Sequence, residues 1–149
     1  MYKYHHAQLI RVIDGDTIEV EFDFGFSLRK NEILRLADID TEELRDKDPN
    51  KRILALAAKR FVQEKLENAE IVVETLKTKR GKERETFGRY VAVVWYYDED
   101  NNFICLNEEL VSEGFAEMVG TAFEETPLNL IDGYNSGSLT DYDSMGWPR

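Results

Sequence analysis

The stretch Arg35-Leu-Ala-Asp-Ile-Asp-Thr-Glu-Glu43 decides how the rest of this sequence is interpreted. It begins as an apolar run, typical of a buried strand, and then places four carboxylates and a hydroxyl within six residues. Such clustering adds repulsion unless a cation lies among the carboxylates, and calcium and magnesium prefer oxygen ligands. A second acidic turn, Asp14-Gly-Asp-Thr17, lies upstream between two apolar runs. Two acidic turns and an arginine beside a strand indicate a metal-assisted reaction on an anion.

Length and composition predict a single domain. The chain has 149 residues and one cysteine, Cys105, so it has room for a core and cannot form an intramolecular disulfide. No apolar run approaches the roughly 18 residues that a membrane-spanning helix needs, so no membrane association is expected. The first six residues contain no apolar signal-peptide core. We expect a cytoplasmic protein, or a secreted one if a signal was removed, and we expect a monomer.

The net charge of −11 argues against tight, passive binding of a polyanion, because Lys and Arg usually supply most non-specific affinity for nucleic acid. The charge is uneven. Over residues 77–89, six Lys and Arg against two Glu leave +4, whereas residues 98–117 hold seven Asp and Glu and no Lys or Arg, which gives −7. A basic loop next to an acidic body fits a substrate that is held transiently.

Apolar periodicity predicts the order β-β-β-α-β-β-α with five main strands. The predicted strands are residues 8–13, 17–24, 33–37, 71–76 and 90–97, with a further short one at 103–106. A helix is predicted from Pro49 through Glu67, capped by Asp48, with Leu54, Ala57, Ala58 and Phe61 at helical spacing. Asn107 is predicted to cap a short helix that ends at Gly114.

This order suits an α+β fold in which a five-stranded OB-type Greek-key β-barrel carries flanking helices. The first three strands have short connections and predict a meander, which is how such barrels begin. Other α+β folds share the same element order. Residues 1–120 are predicted to form the domain, and residues 121–149, which lack apolar periodicity, are predicted to form an irregular C-terminal tail.

Four motifs make the chain resemble the staphylococcal-nuclease-like (thermonuclease) domain family. They occur in the family's order and spacing over roughly residues 7–119, and they are Ile13-Asp-Gly-Asp-Thr17, Arg35-Leu-Ala-Asp-Ile-Asp-Thr-Glu-Glu43, Phe87-Gly-Arg89 and Asn107-Glu-Glu-Leu-Val-Ser-Glu-Gly-Phe-Ala116. The resemblance implies the OB-type barrel. It also implies calcium-dependent hydrolysis of phosphodiester bonds, with single-stranded DNA and RNA as substrates and 3′-phosphates as products.

The same resemblance implies a calcium (Ca²⁺) site made by Asp16, Asp40 and the backbone carbonyl of Thr41. Taken alone, each aspartate is more typical of a turn, where its carboxylate bonds to the local backbone. The metal role rests on the complete set of motifs.

The resemblance makes Arg35, Glu43 and Arg89 the catalytic residues. The two arginines would contact the phosphate, and Glu43 would activate or orient the attacking water. The chemistry suits these residue types, because fork-shaped guanidinium groups bind phosphate oxygens in pairs and a carboxylate near water can act as a base. Each role has an alternative. Arg35 could form a structural ion pair, and Arg89 could lie at the surface with only its aliphatic stem packed. Glu42 could take the place of Glu43.

The chain departs from the family where the substrate is held. Glu42 stands where the family usually has proline, and Phe87 stands where it has an aromatic hydroxyl. The tyrosines that stack on the nucleotide base align with Gly120 and Ala122, and the third helix has no evident counterpart in residues 121–149. These changes predict retained catalysis with weaker or altered substrate preference. They also support a second hypothesis, a catalytically weak or inactive module that binds nucleic acid or a protein partner.

Overall fold

The computed structural model describes residues 2–76 and 89–119. Its elements are β1 (Tyr2–Asp14), β2 (Thr17–Asp23), β3 (Arg29–Leu36), β4 (Ile39–Thr41), α1 (Pro49–Leu66), β5 (Ile71–Thr75), β6 (Tyr90–Tyr97), β7 (Phe103–Cys105), α2 (Leu106–Ser112) and β8 (Ala116–Met118). The predicted tail and most of the predicted basic loop lie outside the described residues. So do the positions at which Phe87, Gly120 and Ala122 depart from the family pattern.

Five strands form a closed barrel. The sheet runs in the order β3-β2-β1-β5-β6-β7, and an additional pairing of β3 with β6 closes it. This closing pair is parallel and short, with Leu34 opposite Tyr90, Arg35 opposite Val91 and Leu36 opposite Ala92. Strand β7 extends the sheet beyond the barrel, and β4 pairs with β8 in a separate ribbon. The predicted OB-type barrel with flanking helices is therefore confirmed.

The first hairpin behaves as its alternation predicts. Ile18, Val20 and Phe22 of β2 are buried, whereas Glu19 and Asp23 lie on the opposite face. The strand ends one residue before the predicted end, because the Asp23 carboxylate accepts a hydrogen bond from the Gly25 N–H at 2.9 Å and the chain turns there. Strand β3 begins four residues earlier than predicted. Its polar first half has no apolar signal and is held by antiparallel pairing with β2.

Helix α1 begins where the sequence predicts. The Asp48 carboxylate accepts a hydrogen bond from the Asn50 N–H at 2.9 Å, and Pro49 occupies the first turn. The buried face differs from the predicted one: it comprises Ala55, Ala58, Val62 and Leu66. Leu54 is 54% exposed, because the small alanines allow the helix to lie close to the barrel and turn Leu54 away from it. No helix in the described ranges is long and apolar enough to cross a membrane.

Asn107 does not cap α2, contrary to the prediction. The helix begins two residues earlier than predicted, at Leu106 after Cys105, and the side chain of Asn107 is fully buried. The amide nitrogen Nδ2 donates to the carbonyls of Ala37 at 3.1 Å and Ala92 at 3.2 Å. The amide oxygen Oδ1 accepts from the Val94 N–H at 3.0 Å. Asn107 therefore joins α2, the end of β3 and β6, beside the closing pair of the barrel.

The predicted end of α2 is confirmed, and the residue before the helix, Cys105, is part of the core. The helix ends at Ser112, and Gly114 adopts the left-handed conformation (φ +82°) that glycine accepts without strain. Cys105 is buried among Ala37, Val72 and neighbouring β-branched side chains. Burial raises the pKa of its thiol to about 12, so this cysteine stays protonated and unreactive at neutral pH.

Asn107→Ala removes all three of these hydrogen bonds and takes the side-chain partner away from the buried Val94 N–H and the Ala37 carbonyl, whereas the Ala92 carbonyl keeps its bond from the Ala37 N–H at 2.9 Å. We expect the free energy of unfolding to fall by about 2–4 kcal/mol, measured by urea denaturation. Asn31→Ala is the matched control, because Asn31 is exposed on β3, and it should change stability by about 0.5 kcal/mol or less. Equal stability of the two variants would contradict the proposed role of Asn107 in closing the barrel.

Candidate active site at the closing pair of the barrel

Two acidic turns meet at the end of β3, next to the point where β3 pairs with β6. Arg35 lies opposite Thr17 in the β2–β3 register, so the turn between β1 and β2 faces the end of β3. The Leu36 N–H donates to the Asp16 carbonyl at 2.8 Å and fixes the two segments together. Strand β4 follows after a two-residue turn and brings the second acidic segment to the same place.

Asp16 is the most constrained carboxylate of the site. It is 8% exposed, and both of its oxygens are hydrogen-bonded. Oδ1 accepts from the Thr17 hydroxyl at 3.1 Å, and Oδ2 accepts from the Thr41 N–H at 3.2 Å. The second bond spans 25 residues of sequence and joins the two acidic turns, so the position of Asp16 depends on that of β4.

Gly15 lets the first turn approach helix α1. A Cβ atom at this position would lie 2.8 Å from the Ala58 Cβ and 3.0 Å from the Thr41 hydroxyl oxygen. Real Cβ contacts are longer, so only glycine fits without a shift of the surrounding atoms. The Asp-Gly-Asp sequence therefore meets a packing requirement in addition to forming a hairpin turn.

Arg35 lies between the two aspartates. Its Nη2 is 3.5 Å from an oxygen of Asp16 and 3.5 Å from an oxygen of Asp40. Its Nη1 donates to the Leu36 carbonyl at 2.7 Å, which fixes the guanidinium plane. Both ion pairs are longer than the 2.7–2.9 Å typical of charge-assisted hydrogen bonds. Arg35 is thus positioned by the carboxylates without being tightly bound to them, and its side chain is 19% exposed.

The surroundings of Asp40 disfavour the ionised form of its carboxyl group. Partial burial raises its pKa above the ordinary value of 3.8, and the charge of Asp16 and a hydrogen bond shared with the Asp16 carboxyl add to the increase. The positive charge of Arg35 opposes the increase, and the charge of Glu43 reinforces it. The side chain is 62% exposed, so a ligand can reach it from solvent.

Asp14 belongs to the same cluster and was not among the predicted site residues. Burial raises its pKa above 3.8, and the negative charges of Asp16 and Glu43 reinforce this effect. The Leu44 N–H and the charge of Lys59 lower it. The Leu44 contact connects the turn between β1 and β2 to the loop that carries Glu43. The sequence does contain a signal, since Asp14 and Asp16 flank one glycine, but the motif alone does not show which carboxylate reaches the loop.

The structure separates the two glutamates that compete in the sequence. Glu43 is exposed, and its charge acts on both Asp14 and Asp40. Glu42 lines a cavity together with Asp40, Thr41 and Leu54. The charge of Glu43 thus acts on Asp14 and Asp40, whereas Glu42 adjoins Asp40 along the cavity.

Arg89 lies immediately before β6. The parallel register puts Arg35 opposite Val91, two residues beyond Arg89. Because side chains alternate along a strand, Arg35 and Arg89 start from the same face of neighbouring strands. The side chain of Arg89 is partly buried. The closing pair thus brings together two arginines that are 54 residues apart in the sequence.

The donors around Asp16 and Asp40 suit a hard cation. The two carboxyl groups are within hydrogen-bond reach of each other, and the buried hydroxyl of Thr41 has no partner in the described part of the chain. Carboxylate, carbonyl and hydroxyl oxygens are what calcium binds, with water filling the remaining positions. No group of three or more His, Cys, Asp or Glu side chains among the described residues is already arranged to hold a metal ion. The protein would therefore supply two carboxylates and the Thr41 carbonyl.

Comparison with known proteins identifies the family. A family model described as "Staphylococcal nuclease homologue" matches residues 33–129. The chain belongs to this family. Its relatives include a protein named thermonuclease from Staphylococcus hyicus, which is 33% identical over 73% of this chain and 56% of its own length. An uncharacterized protein of Methanocaldococcus jannaschii, MJ1439, is 25% identical over 83% of this chain and 63% of its own length. The chain thus spans less than two thirds of the length of either relative. Its membership of the family confirms the resemblance that the four sequence motifs predicted.

Asp40→Asn should stabilise this nuclease homologue in chelator at pH 7 by up to about 1 kcal/mol, a figure kept small because the side chain is exposed. The pKa of Asp40 is raised in the folded state, so its carboxylate costs stability as pH rises above 3.8 through the raised value, and asparagine removes this cost. The advantage should shrink as the pH approaches 4. Urea denaturation at both pH values measures it.

Asp100→Asn is the matched control, because Asp100 lies in an exposed turn remote from the site. It should leave stability nearly unchanged at both pH values. Destabilisation of the Asp40→Asn variant in chelator would mean that attraction to Arg35 outweighs repulsion among the carboxylates.

Proposed function

We propose that this protein is a calcium-dependent nuclease that hydrolyses phosphodiester bonds in DNA and RNA and leaves 3′-phosphates. The observation that carries the proposal is the position of Arg35, 3.5 Å from both Asp16 and Asp40, with Glu43 beside them. A guanidinium group next to a cation-suited carboxylate pair is an arrangement for an anionic, phosphate-like ligand. The family match and the relative named thermonuclease support the same reaction.

Asp16, Asp40 and the Thr41 carbonyl would hold the calcium ion. Asp16 is fixed by two hydrogen bonds, so it is preorganised, and the more exposed Asp40 can adjust. A bound divalent cation supplies positive charge next to the phosphate oxygens, where negative charge accumulates during displacement. It also relieves the repulsion that raises the pKa of Asp40.

Arg35 and Arg89 would bind the non-bridging oxygens of the phosphate. Of the five N–H donors of Arg35, one bonds to the Leu36 carbonyl at 2.7 Å, and the long contacts to the carboxylates leave others able to turn to a ligand. Paired N–H donors match phosphate geometry, and their attraction grows as charge builds up on the oxygens. The two arginines would therefore favour the transition state over the bound substrate.

Glu43 would accept a proton from the attacking water. It is exposed, so water can reach it, and its charge acts on Asp14 and Asp40, which places it beside the proposed site. The Leu44 N–H bonded to Asp14 keeps this loop near the site. General-base catalysis typically contributes about 10²–10⁴-fold to the rate.

A second candidate function is a module that binds nucleic acid or a protein partner without turnover. The net charge of −11 and the replacement of the family's proline by Glu42 favour the form of this function in which the partner is a protein, because both weaken attraction to a polyanion. With nucleic acid as the partner, the module would retain labelled single-stranded DNA in chelator and would not cleave it after calcium is added. A gel shift followed by a cleavage assay on the same sample distinguishes the two functions.

Glu43→Gln should lower the rate of cleavage of single-stranded DNA in calcium by about 10²–10⁴-fold, because the amide cannot accept the proton. Fluorescence of a quenched oligonucleotide measures the rate, with chelator and magnesium in parallel samples. Glu64→Gln, the same change on the exposed face of α1, is the control and should keep full activity. The nuclease proposal fails if the folded wild-type protein does not cleave DNA or RNA in calcium.

Arg35→Lys keeps the positive charge and loses the paired donors. We expect kcat to fall by about 10²-fold, with circular dichroism and the unfolding midpoint little changed. Arg29→Lys on the same strand is the matched control, since Arg29 is exposed and forms an ion pair with Glu21 at 3.4 Å, away from the site. A lysine variant as active as the wild type would remove Arg35 from the proposed mechanism.

A further inference from the structure

A cavity of about 170 Å³ adjoins the candidate active site. Asp40 and Thr41 of β4 form one side of it, and residues at the end of α2 and in β8 form the other. The second side is made by Gly114 and Phe115, which follow α2, and by Ala116 and Glu117 of β8. Glu42, which follows β4, and Leu54 of α1 complete the lining. None of the residues that line this cavity is Lys or Arg.

The β4–β8 ribbon joins the cavity to the site. Asp40 lies directly opposite Glu117, and Thr41 lies opposite Ala116. Opposite residues in an antiparallel pair have Cβ atoms about 4.5–5.5 Å apart and point to the same face. A group bound beside Glu117 is therefore next to Asp40, and hence next to the phosphate that the proposed nuclease binds.

The walls of this cavity differ chemically from the rest of the site. Leu54, Phe115 and Ala116 provide an apolar surface, and Leu54 is 54% exposed in the absence of a ligand. Glu42 and Glu117 provide carboxylates, which only accept hydrogen bonds when ionised. A ligand that fits both must present a flat apolar body and N–H donors at its edge.

The size of the cavity limits the ligand to a single ring system. Liquid water occupies about 30 Å³ per molecule, so the cavity holds the equivalent of five or six water-sized groups. This space has room for a pyrimidine ring. The sugar and phosphate of a bound nucleotide would lie outside it, toward Asp40.

We propose that this cavity binds the base next to the scissile phosphate and selects a base that carries an exocyclic amino group, cytosine in particular. The N4 amino group of cytosine donates to a carboxylate, whereas the O4 carbonyl of uracil or thymine repels one. Glu42 and Glu117 are the specificity-determining residues, and Leu54 and Phe115 contact the ring. The inference rests on the proposed nuclease function and adds the preferred base to it.

Equilibrium binding of CMP and UMP in calcium tests the inference without requiring catalysis. The two nucleotides differ only at the edge of the base, so the ratio of their dissociation constants reports the cavity alone. We expect the wild type to bind CMP roughly tenfold more tightly than UMP. The double variant Glu42→Gln, Glu117→Gln should bring the ratio close to one, because each amide can also donate to the uracil carbonyl.

Glu64→Gln is the control and should leave the ratio unchanged. The ratio does not depend on the fraction of folded protein, since both nucleotides bind the same molecules. Equal binding of CMP and UMP by the wild type, or a preference that survives in the double variant, would overturn the inference.

Cleavage assays separate failure of this inference from failure of the proposed function. The values of kcat/KM for oligonucleotides that carry cytosine or uracil beside a single cleavable linkage should show the same roughly tenfold preference. Cleavage without base preference would keep the nuclease and refute the base site. A CMP preference without any cleavage would refute the nuclease and keep the base site, on a binding module.

Discussion

The parallel contact between β3 and β6 is the constraint on which the rest of the structure depends. Three residue pairs convert a sheet into a closed barrel, and the middle pair contains Arg35. Parallel strands cannot be joined by a tight turn, so this contact is formed by parts of the chain far apart in sequence. Asn107 strengthens it from the side by bonding to Ala37, Ala92 and Val94. The contact that closes the barrel therefore also positions Arg35 in the candidate site.

The candidate site concentrates negative charge at a cost to stability. Asp14 and Asp40 both have raised pKa values, with burial as the largest cause and neighbouring carboxylates as the next. A sequence selected for stability alone would not place these groups around Asp16. Functional sites commonly break the rules that the rest of a fold obeys, and here the broken rule is separation of like charges. The surrounding barrel, with Ile18, Leu34 and Leu36 buried, supplies the stability that tolerates it.

Much of this arrangement could be predicted from the sequence because it depends on local patterns. Alternation in β2, the Asp48-Pro49 helix start and the spacing of the acidic motifs each specify their own structure. The short strands β4 and β8 could not be predicted, since three residues carry no detectable period. The role of Asn107 was missed for a related reason. An asparagine before a helical segment favours a cap, and only the tertiary contacts with β6 show that its side chain points inward.

The placement of the two glutamates also needed the structure. Adjacent residues in a loop have no fixed periodicity, so sequence cannot tell which one faces the aspartates. In the structure, Glu42 lines a cavity with Asp40 and Leu54, and the charge of Glu43 acts on Asp14 and Asp40. The two arginines differ in how much of their surroundings the structure describes. Arg35 is fixed by strand register, whereas the residues before Arg89 lie outside the described ranges.

The close contact between Gly15 and Ala58 has an evolutionary consequence. The hairpin turn and the helix approach so closely that one more carbon atom at position 15 would collide with the alanine methyl group. A larger side chain at position 58 would meet the same turn from the other side. Homologous chains that keep this spacing should therefore conserve small residues at both positions, or exchange them in compensation. Substitutions at position 58 of the helix should therefore accompany substitutions in the acidic turn, although Ala58 has no reactive group itself.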